Sequence, residues 1–251
     1  MKKQLLHSGW QLTTVGKNDT IPATVPGSVY NDLLNAGRME DPYWRDNEMK
    51  ALALMDEDYR YNTTFDVNAD VLNSERVLLR CEGLDTIADI VLNGEKIASV
   101  CNMHRTWEFD VKDSLKTTGN TLEIVFHSPT KYIKEQDKIC HAGGSEDAMV
   151  GFPNLRKAHC MFGWDWGPRL PDAGLFREAS VLAVKTARLA QVFVGQEHHV
   201  TGKTVHGNVV DFVRLTADAE IEWMPGVTDG KAKIVMTVTS PDGKTVLTVE
   251  S

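Results

Sequence analysis

The triplet Trp164-Asp165-Trp166 is the most unusual group of side chains in the sequence. It holds two of the six tryptophans, and Gly167-Pro168 follows it and restricts the backbone. Aromatic rings pack against the weakly polar faces of sugar rings, and a short carboxylate accepts hydrogen bonds from sugar hydroxyl groups. The triplet therefore fits a carbohydrate-binding loop. The alternative is that both indoles are core side chains and that Asp165 caps a turn.

Other candidate chemistry is less specific. Cys140-His141 and His159-Cys160 are adjacent mixed pairs, unlike the spacings that let two side chains converge on one zinc ion. His198-His199 is interpreted as a solvated loop pair for the same reason. We therefore predict neither a metal site nor a cofactor. The four cysteines are too sparse for a disulfide framework and are predicted to be free thiols.

No pair of carboxylates suited to acid–base chemistry is recognisable. Asp56-Glu57-Asp58 is a run of adjacent acids, which is typical of a solvated segment, and Glu146-Asp147 falls in a glycine-containing loop. Retaining glycoside hydrolysis needs two carboxyl groups about 5–5.5 Å apart across the sugar, a distance that spacing in sequence does not establish.

Helical signals are confined to the first fifty-odd residues. Ser28 is a good N-cap for an apolar face that contains Val29 and Leu33, and Gly37 stands where a helix would end. A second short helix is predicted near Asn47-Glu48, with Asn47 as its cap.

Farther along the chain the hydrophobic period changes to two. Residues 59–67, 107–111 and 122–126 alternate between apolar and polar side chains, as half-buried strands do. Asn93-Gly94 separates two apolar runs and predicts a type I′ hairpin. The fold class predicted is all-β, an antiparallel sandwich or jelly roll.

Two domains are predicted. Residues 1–186 form the first, which includes an irregular stretch of about 45 residues from Ser128 to Gly174 and a strand at Val181–Val184. Residues 187–251 resume short strand patterns, joined near the end by a turn at Ser240–Lys244. This second segment is too short for a sandwich of about 100 residues. We expect it to be incomplete and the chain to be a truncation.

Composition excludes several classes. The 251 residues are 42% hydrophobic and 25% charged, which is typical of a globular protein. A net charge of -8 has the wrong sign for a nucleic-acid-binding protein. The longest apolar run, Ala51–Met55, is far shorter than a membrane span. The N-terminus lacks an apolar signal segment, so the expected location is the cytoplasm, or the periplasm or lysosome if a signal peptide has been removed.

The sequence resembles the β-mannosidases of glycoside hydrolase family 2 over nearly all of residues 5–250. The run Arg156–Pro168, with Gly174–Arg177 after it, is similar to their signature. Shorter similarities occur at Val25–Tyr30 with Leu33-Leu34, Asp41–Trp44 with Asn47-Glu48, Gly83–Thr86, Leu92–Gly94 and Asn102-Met103.

The resemblance implies a galactose-binding-like jelly roll, then an immunoglobulin-like sandwich, then a (β/α)8 barrel with two catalytic glutamates. The chain ends within the second of these domains, so no catalytic residue is expected here and the barrel is the expected partner. Trp164, Asp165 and Trp166 would reach over the barrel mouth to a terminal mannose. Asn47-Glu48 is not expected to be the family's acid/base pair, which stands at the end of a barrel strand.

The function predicted is the N-terminal, non-catalytic portion of a retaining β-mannosidase that acts on terminal non-reducing β-D-mannose. The ligand would be a β-mannoside oligosaccharide or another glycoside, and neither nucleic acid nor membrane is an expected partner. Two alternatives stay open: a free-standing carbohydrate-binding module, and a family 2 glycosidase of another specificity.

Overall fold

The computed structural model describes residues 1–227 and 229–250. The chain divides into two compact units, residues 2–183 and a second unit that begins at Val184. None of the helices in the described residues is both long enough and apolar enough to span a membrane.

The first unit is a β-sandwich. The strands are β1 (Lys2–Leu5), β2 (Gln11–Thr14), β3 (Thr20–Pro22), β4 (Tyr59–Phe65), β5 (Arg76–Cys81), β6 (Leu84–Asp85), β7 (Ile87–Leu92), β8 (Glu95–Cys101), β9 (Trp107–Asp110), β10 (Asn120–Phe126), β11 (Gly174–Leu175) and β12 (Ala179–Val184). One sheet has four strands in the order β1-β12-β5-β9, and the other has six in the order β3-β2-β4-β10-β7-β8, while β6 and β11 form a separate pair.

The core lies between the two sheets, as the alternating patterns predict. Leu79 and Val181 of the four-stranded sheet share one buried cluster with Leu12, Ile90 and Ile124 of the six-stranded sheet. The β4–β10 ladder is antiparallel and pairs Tyr61 with Ile124. The all-β prediction is therefore confirmed.

The predicted hairpin and the first two helices are also present. Asn93 and Gly94, with φ of 52° and 84°, join β7 to β8. Helix α1 (Val29–Asn35) begins after Ser28, whose Oγ accepts a hydrogen bond from the N–H of Asn31. Helix α2 covers Asn47–Leu54, and a further short helix, α3, covers Ala69–Leu72.

The prediction of Asn47 as a helix cap is wrong. Asp46 occupies the cap position of α2, and Asn47 is the first helical residue. The buried amide of Asn47 instead donates a 3.0 Å hydrogen bond from Nδ2 to the backbone oxygen of Asp41. Asn47 therefore fixes the turn that precedes the helix.

The prediction of an irregular stretch from Ser128 is wrong in its first part. Helix α4 covers Pro129–Ile139, and Ser128 caps it by accepting a hydrogen bond from the N–H of Lys131. Proline at the first helical position costs nothing, because its missing N–H would have had no partner there. Residues 140–173 contain only short 3₁₀ turns and isolated bridges.

The acidic run before β4 is not simply solvated, which corrects a third expectation. Asp58 accepts a 2.8 Å hydrogen bond through Oδ1 from the N–H of Ser128. Asp56 accepts one of 2.5 Å from the hydroxyl of Thr130. These carboxylates fasten the beginning of α4, where the helix dipole favours negative charge.

The described residues of the second unit form two hairpins. Strands β13 (Ala187–Thr204) and β14 (Gly207–Trp223) make the first, and β15 (Val235–Thr239) and β16 (Thr245–Glu250) make the second. Strands β13 and β14 have 18 and 17 residues, so they are longer than the short strand patterns recognised in the sequence. His198-His199 lies within β13 rather than in a loop, and the ring of His199 stacks on Phe212 with centroids 4.7 Å apart.

Candidate functional site

The tryptophan–aspartate–tryptophan triplet forms the tip of a short loop. Trp164, Asp165 and Trp166 make a 3₁₀ turn, and an isolated antiparallel bridge between Phe162 and Arg169 closes the loop behind them. Phe162 is fully buried in a small apolar cluster that also contains Ile133, Ala148, Phe152 and Leu155. One edge of the loop is therefore fixed by apolar packing.

Two backbone conformations explain why the loop projects as it does. Gly163 has φ of +96°, and a Cβ at this position would lie only 2.9 Å from Cγ of Arg169. Trp164 is in the left-handed region with φ of 62°, a conformation that is uncommon for a bulky residue and occurs often at functional sites. The strained turn directs both indoles outward.

Both tryptophans are surface side chains, so their interpretation as core residues is wrong. Trp164 is 44% exposed and Trp166 is 46% exposed. Their rings meet edge to face with centroids 4.8 Å apart, and Trp166 also contacts Phe152 at 6.3 Å. The two indoles therefore form an aromatic surface that packing holds in place.

The carboxylate of Asp165 is open to solvent. The residue is exposed, and within the part of the chain that the structure describes no donor is hydrogen-bonded to it. A carboxylate that capped the turn would accept a backbone N–H. Asp165 is thus available to accept hydrogen bonds from a ligand.

The loop borders an open cleft of about 480 Å³. Its lining combines an aromatic ring, three carboxylates and one guanidinium group, contributed by Trp164, Asp165, Glu48, Asp147 and Arg169 among others. Such a mixture suits a ligand with both apolar faces and many hydroxyl groups. The predicted site residues Trp164 and Asp165 meet here, while Trp166 supports Trp164 from the side.

Glu48, Asp147 and Arg169 were not predicted to belong to the site. Glu48 lies in the first turn of α2, and its Oε1 accepts a 2.9 Å hydrogen bond from the N–H of Arg169. The two residues are 121 positions apart in sequence. Because nothing in the local pattern links them, their contact was not recognisable before the structure was known.

A buried ion pair lies at the base of the segment that carries the loop. The side chain of Lys157 is fully buried, and Nζ contacts the carboxylate of Asp85 and, at 2.6 Å, the backbone oxygen of Asp172. Burial lowers the pKa of Lys157, and attraction to Asp85 opposes that effect.

The half-buried Asp172 side chain lies beside this pair. Burial raises its pKa to about 6, although hydrogen bonds from Ser28 and from the N–H groups of Tyr30 and Ala173 act in the opposite direction. The network thus holds buried charge close to the loop without exposing it to the cleft.

The cysteine–histidine pairs have other partners. Nδ1 of His141 lies 3.1 Å from Asp137, and the ring of His159 packs against Phe152 with centroids 4.8 Å apart. All four cysteines are free thiols. Among residues 1–227 and 229–250, no group of three or more potential ligands is placed to hold a metal ion.

Comparison with known proteins places the first unit in one family. The family model described as glycosyl hydrolase 2 galactose-binding domain-like matches residues 10–177. The chain belongs to this family. The predicted galactose-binding-like fold of the first unit is therefore confirmed.

The similar sequences are β-mannosidases. The chain is 30% identical over 202 residues to the β-mannosidase of Bos taurus, which covers 73% of this chain and 22% of that protein. It is 35% identical over 189 residues to β-mannosidase A of Emericella nidulans, covering 71% and 20% respectively. The chain thus spans about a fifth of the length of these relatives and corresponds to their N-terminal portion.

Two solved structures have a similar fold. A β-D-mannosidase from Dictyoglomus thermophilum superposes with a TM-score of 0.82 at 30% identity, over 100% of this chain and 29% of that chain. The exo-chitosanase CsxA of Amycolatopsis orientalis superposes with a TM-score of 0.62 at 17% identity, over 100% of this chain and 27% of that one. At that identity the second likeness concerns the fold alone.

Proposed function

We propose that the chain is the N-terminal, non-catalytic portion of a retaining β-mannosidase that hydrolyses terminal non-reducing β-D-mannose units. The observation that carries the proposal is the exposed triplet: Asp165 presents an open carboxylate beside the Trp164 ring at the edge of a cleft. The identity of 30–35% to β-mannosidases supports mannose as the sugar.

The cleft residues have distinct roles in this proposal. The ring of Trp164 packs against the face of the terminal sugar, while Asp165 accepts hydrogen bonds from its hydroxyl groups. The guanidinium of Arg169 can donate hydrogen bonds to hydroxyl oxygens. A carboxylate with no donor from the chain loses less on binding, because no internal hydrogen bond has to be broken first.

The hydrolytic step belongs to a part of the protein outside this chain. We propose that a (β/α)8 domain supplies the two catalytic carboxylates and that residues 187–251 begin an immunoglobulin-like domain before it. The most exposed apolar side chains of the first unit come from segments 43–49 and 139–150, which also contribute to the cleft; they are Tyr43, Trp44, Met49, Ile139 and Val150. Met49 lines the cleft itself, and exposed apolar side chains of this kind support an interaction with another domain.

The test is a specificity assay on the complete polypeptide. Aryl β-mannoside, β-galactoside, β-glucuronide and β-glucosaminide are compared by kcat/KM, and we expect the mannoside to be turned over most efficiently. Preference for another glycoside would replace the substrate class but keep the family. A complete reading frame without a (β/α)8 domain, together with sugar binding by the chain, would replace the proposal with a carbohydrate-binding module.

A further inference from the structure

We propose that Glu48 is a positioning residue, whose carboxylate holds the Trp164-Asp165-Trp166 loop in its ligand-binding orientation by accepting the backbone N–H of Arg169. The inference rests on the proposed function for the role of the loop. The tether itself rests on the 2.9 Å hydrogen bond between Glu48 and Arg169.

Helix α2 is a rigid support for this contact. Ala51, in the middle of the helix, and Met55, just beyond its end, are buried in the main core. The hydroxyl of Tyr30 donates a 2.8 Å hydrogen bond to the backbone oxygen of Ala51. Asn47, beside Glu48, is tied to Asp41. A side chain in the first turn of α2 is therefore fixed relative to the sandwich.

Phe162 fixes the entering edge of the loop through its buried ring. On the side of Arg169, the bridge to Phe162 and the hydrogen bond to Glu48 hold the loop. Pro168 has no N–H, so the first backbone donor after the exposed turn belongs to Arg169. That donor is the one that Glu48 binds.

The chemistry of the contact requires an acceptor in the position of Oε1. A hydrogen bond from a neutral N–H to a carboxylate is stronger than one to a neutral oxygen, but an amide oxygen accepts in the same geometry. Glu48→Gln should therefore preserve the tether in large part, whereas Glu48→Ala removes it. The pair of variants separates the loss of the acceptor from the loss of charge.

The test is amide hydrogen exchange at Arg169, measured by NMR on the full chain. We expect slow exchange in the wild type and in Glu48→Gln, and exchange faster by about tenfold or more in Glu48→Ala, because that hydrogen bond is absent. Glu40→Ala is the matched control, since it removes an exposed acid of the same region that pairs with Lys50. The control should leave the exchange rate of Arg169 unchanged.

The same four proteins are then titrated with methyl β-D-mannoside while the indole fluorescence is followed. We expect weaker binding by Glu48→Ala, near-wild-type binding by Glu48→Gln and no change in the control. Unchanged exchange in Glu48→Ala, fast exchange in Glu48→Gln, or unchanged binding despite fast exchange would each overturn the inference. Absence of binding by the wild type counts against sugar recognition by the chain, while the exchange rates still decide whether the tether exists.

Discussion

Nζ of Lys157 donates a 2.6 Å hydrogen bond to the backbone oxygen of Asp172, and this contact closes the base of the segment that carries the tryptophan–aspartate–tryptophan loop. The same ammonium contacts the carboxylate of Asp85 on strand β6. The segment is thus fixed at its base by a buried charge and near its tip by Glu48. A loop built in this way presents exposed side chains on a rigid frame.

Replacing Lys157 should strongly destabilise the first unit. Lys157→Met keeps most of the side-chain volume but leaves the Asp85 carboxylate buried without its partner, a change that costs about 3–5 kcal/mol of unfolding free energy. Urea denaturation followed by tryptophan fluorescence measures the loss. Lys50→Met is the control, because both Lys50 and its partner Glu40 are about two-thirds exposed, at 66% and 65%. Equal effects of the two substitutions would show that the buried pair contributes no more than a surface pair.

Asp172 should make the unfolding free energy depend on pH. Its pKa rises from 3.8 to about 6 on burial, so between these values the folded protein keeps a proton that the unfolded chain has lost. Unfolding free energy therefore falls as pH increases through this window, by up to about 3 kcal/mol. Asp172→Asn has no such proton and should lack this decline. Urea titrations of both proteins from about pH 4 to pH 7 test the expectation, and parallel curves would contradict it.

His127 should stabilise the fold when its ring is protonated, because both ring nitrogens face carboxylates. Nδ1 lies 3.1 Å from Asp58 and Nε2 lies 3.1 Å from Asp89. Partial burial lowers the pKa of His127, but hydrogen bonds to Asp58 and Asp89 outweigh it, and the net direction is upward from 6.5. The contribution is therefore fully present below the unfolded-state pKa and is lost as pH rises through the folded-state pKa.

We accordingly expect His127→Gln to lower the unfolding free energy more at about pH 5.5 than at about pH 9. Urea denaturation at both values provides the measurement. The exposed His7, substituted in the same way, is the control, and its replacement should change the unfolding free energy little. An effect of His127→Gln that does not change with pH would mean that packing, and not the charged pair of contacts, accounts for it.

The strands were predictable because they face one core. Alternation in β4 and β10 specifies which side of the sheet is buried, and the turn at Asn93-Gly94 requires two positive φ angles that these residues adopt readily. Helix α4 was not predicted. Ser128-Pro129 is a typical helix start, but the glycines that follow the helix are typical of an irregular segment. The helix also explains Asp56 and Asp58, whose partners lie about seventy residues away.

The site was predictable only where the residue types are unusual. Trp164, Asp165 and Trp166 are conspicuous as a triplet, whereas Glu48 and Lys157 are common residue types whose roles depend on contacts distant in sequence. A lysine is almost never fully buried without a partner, and the pattern around Lys157 gives no sign of Asp85. Tertiary packing, and not local pattern, determines these positions.

The chain by itself should be catalytically inactive. Glu48, Asp147 and Asp165 line the cleft, but Glu48 already accepts a hydrogen bond from the Arg169 N–H. The sequence predicts no pair of carboxylates that could act as nucleophile and acid. We expect no hydrolysis of an aryl β-mannoside above background by residues 1–251. Glu48→Gln is the control for any turnover that does occur. Activity that this substitution abolishes would make Glu48 a catalytic residue and would contradict its role as a tether.

In the complete polypeptide, Asp165→Ala should reduce glycoside turnover, if the proposed function holds, while the protein stays folded. A hydrogen bond to a charged acceptor contributes about 1.5–3 kcal/mol, which corresponds to a loss of roughly 10- to 150-fold in kcat/KM. Any part of the bond that strengthens in the transition state appears in kcat. The melting temperature should change little, because the carboxylate is exposed and has no hydrogen-bond donor among the described residues.

Two further variants make the Asp165 measurement specific. Asp165→Asn retains an acceptor oxygen and should lose less activity than Asp165→Ala. Asp113→Ala removes another exposed aspartate that also lies in a 3₁₀ turn, and it should leave kcat/KM unchanged. Kinetics and thermal unfolding are measured on the same preparations. If Asp165→Ala keeps wild-type kcat/KM but melts several degrees lower, the carboxylate stabilises the turn and has no part in sugar recognition.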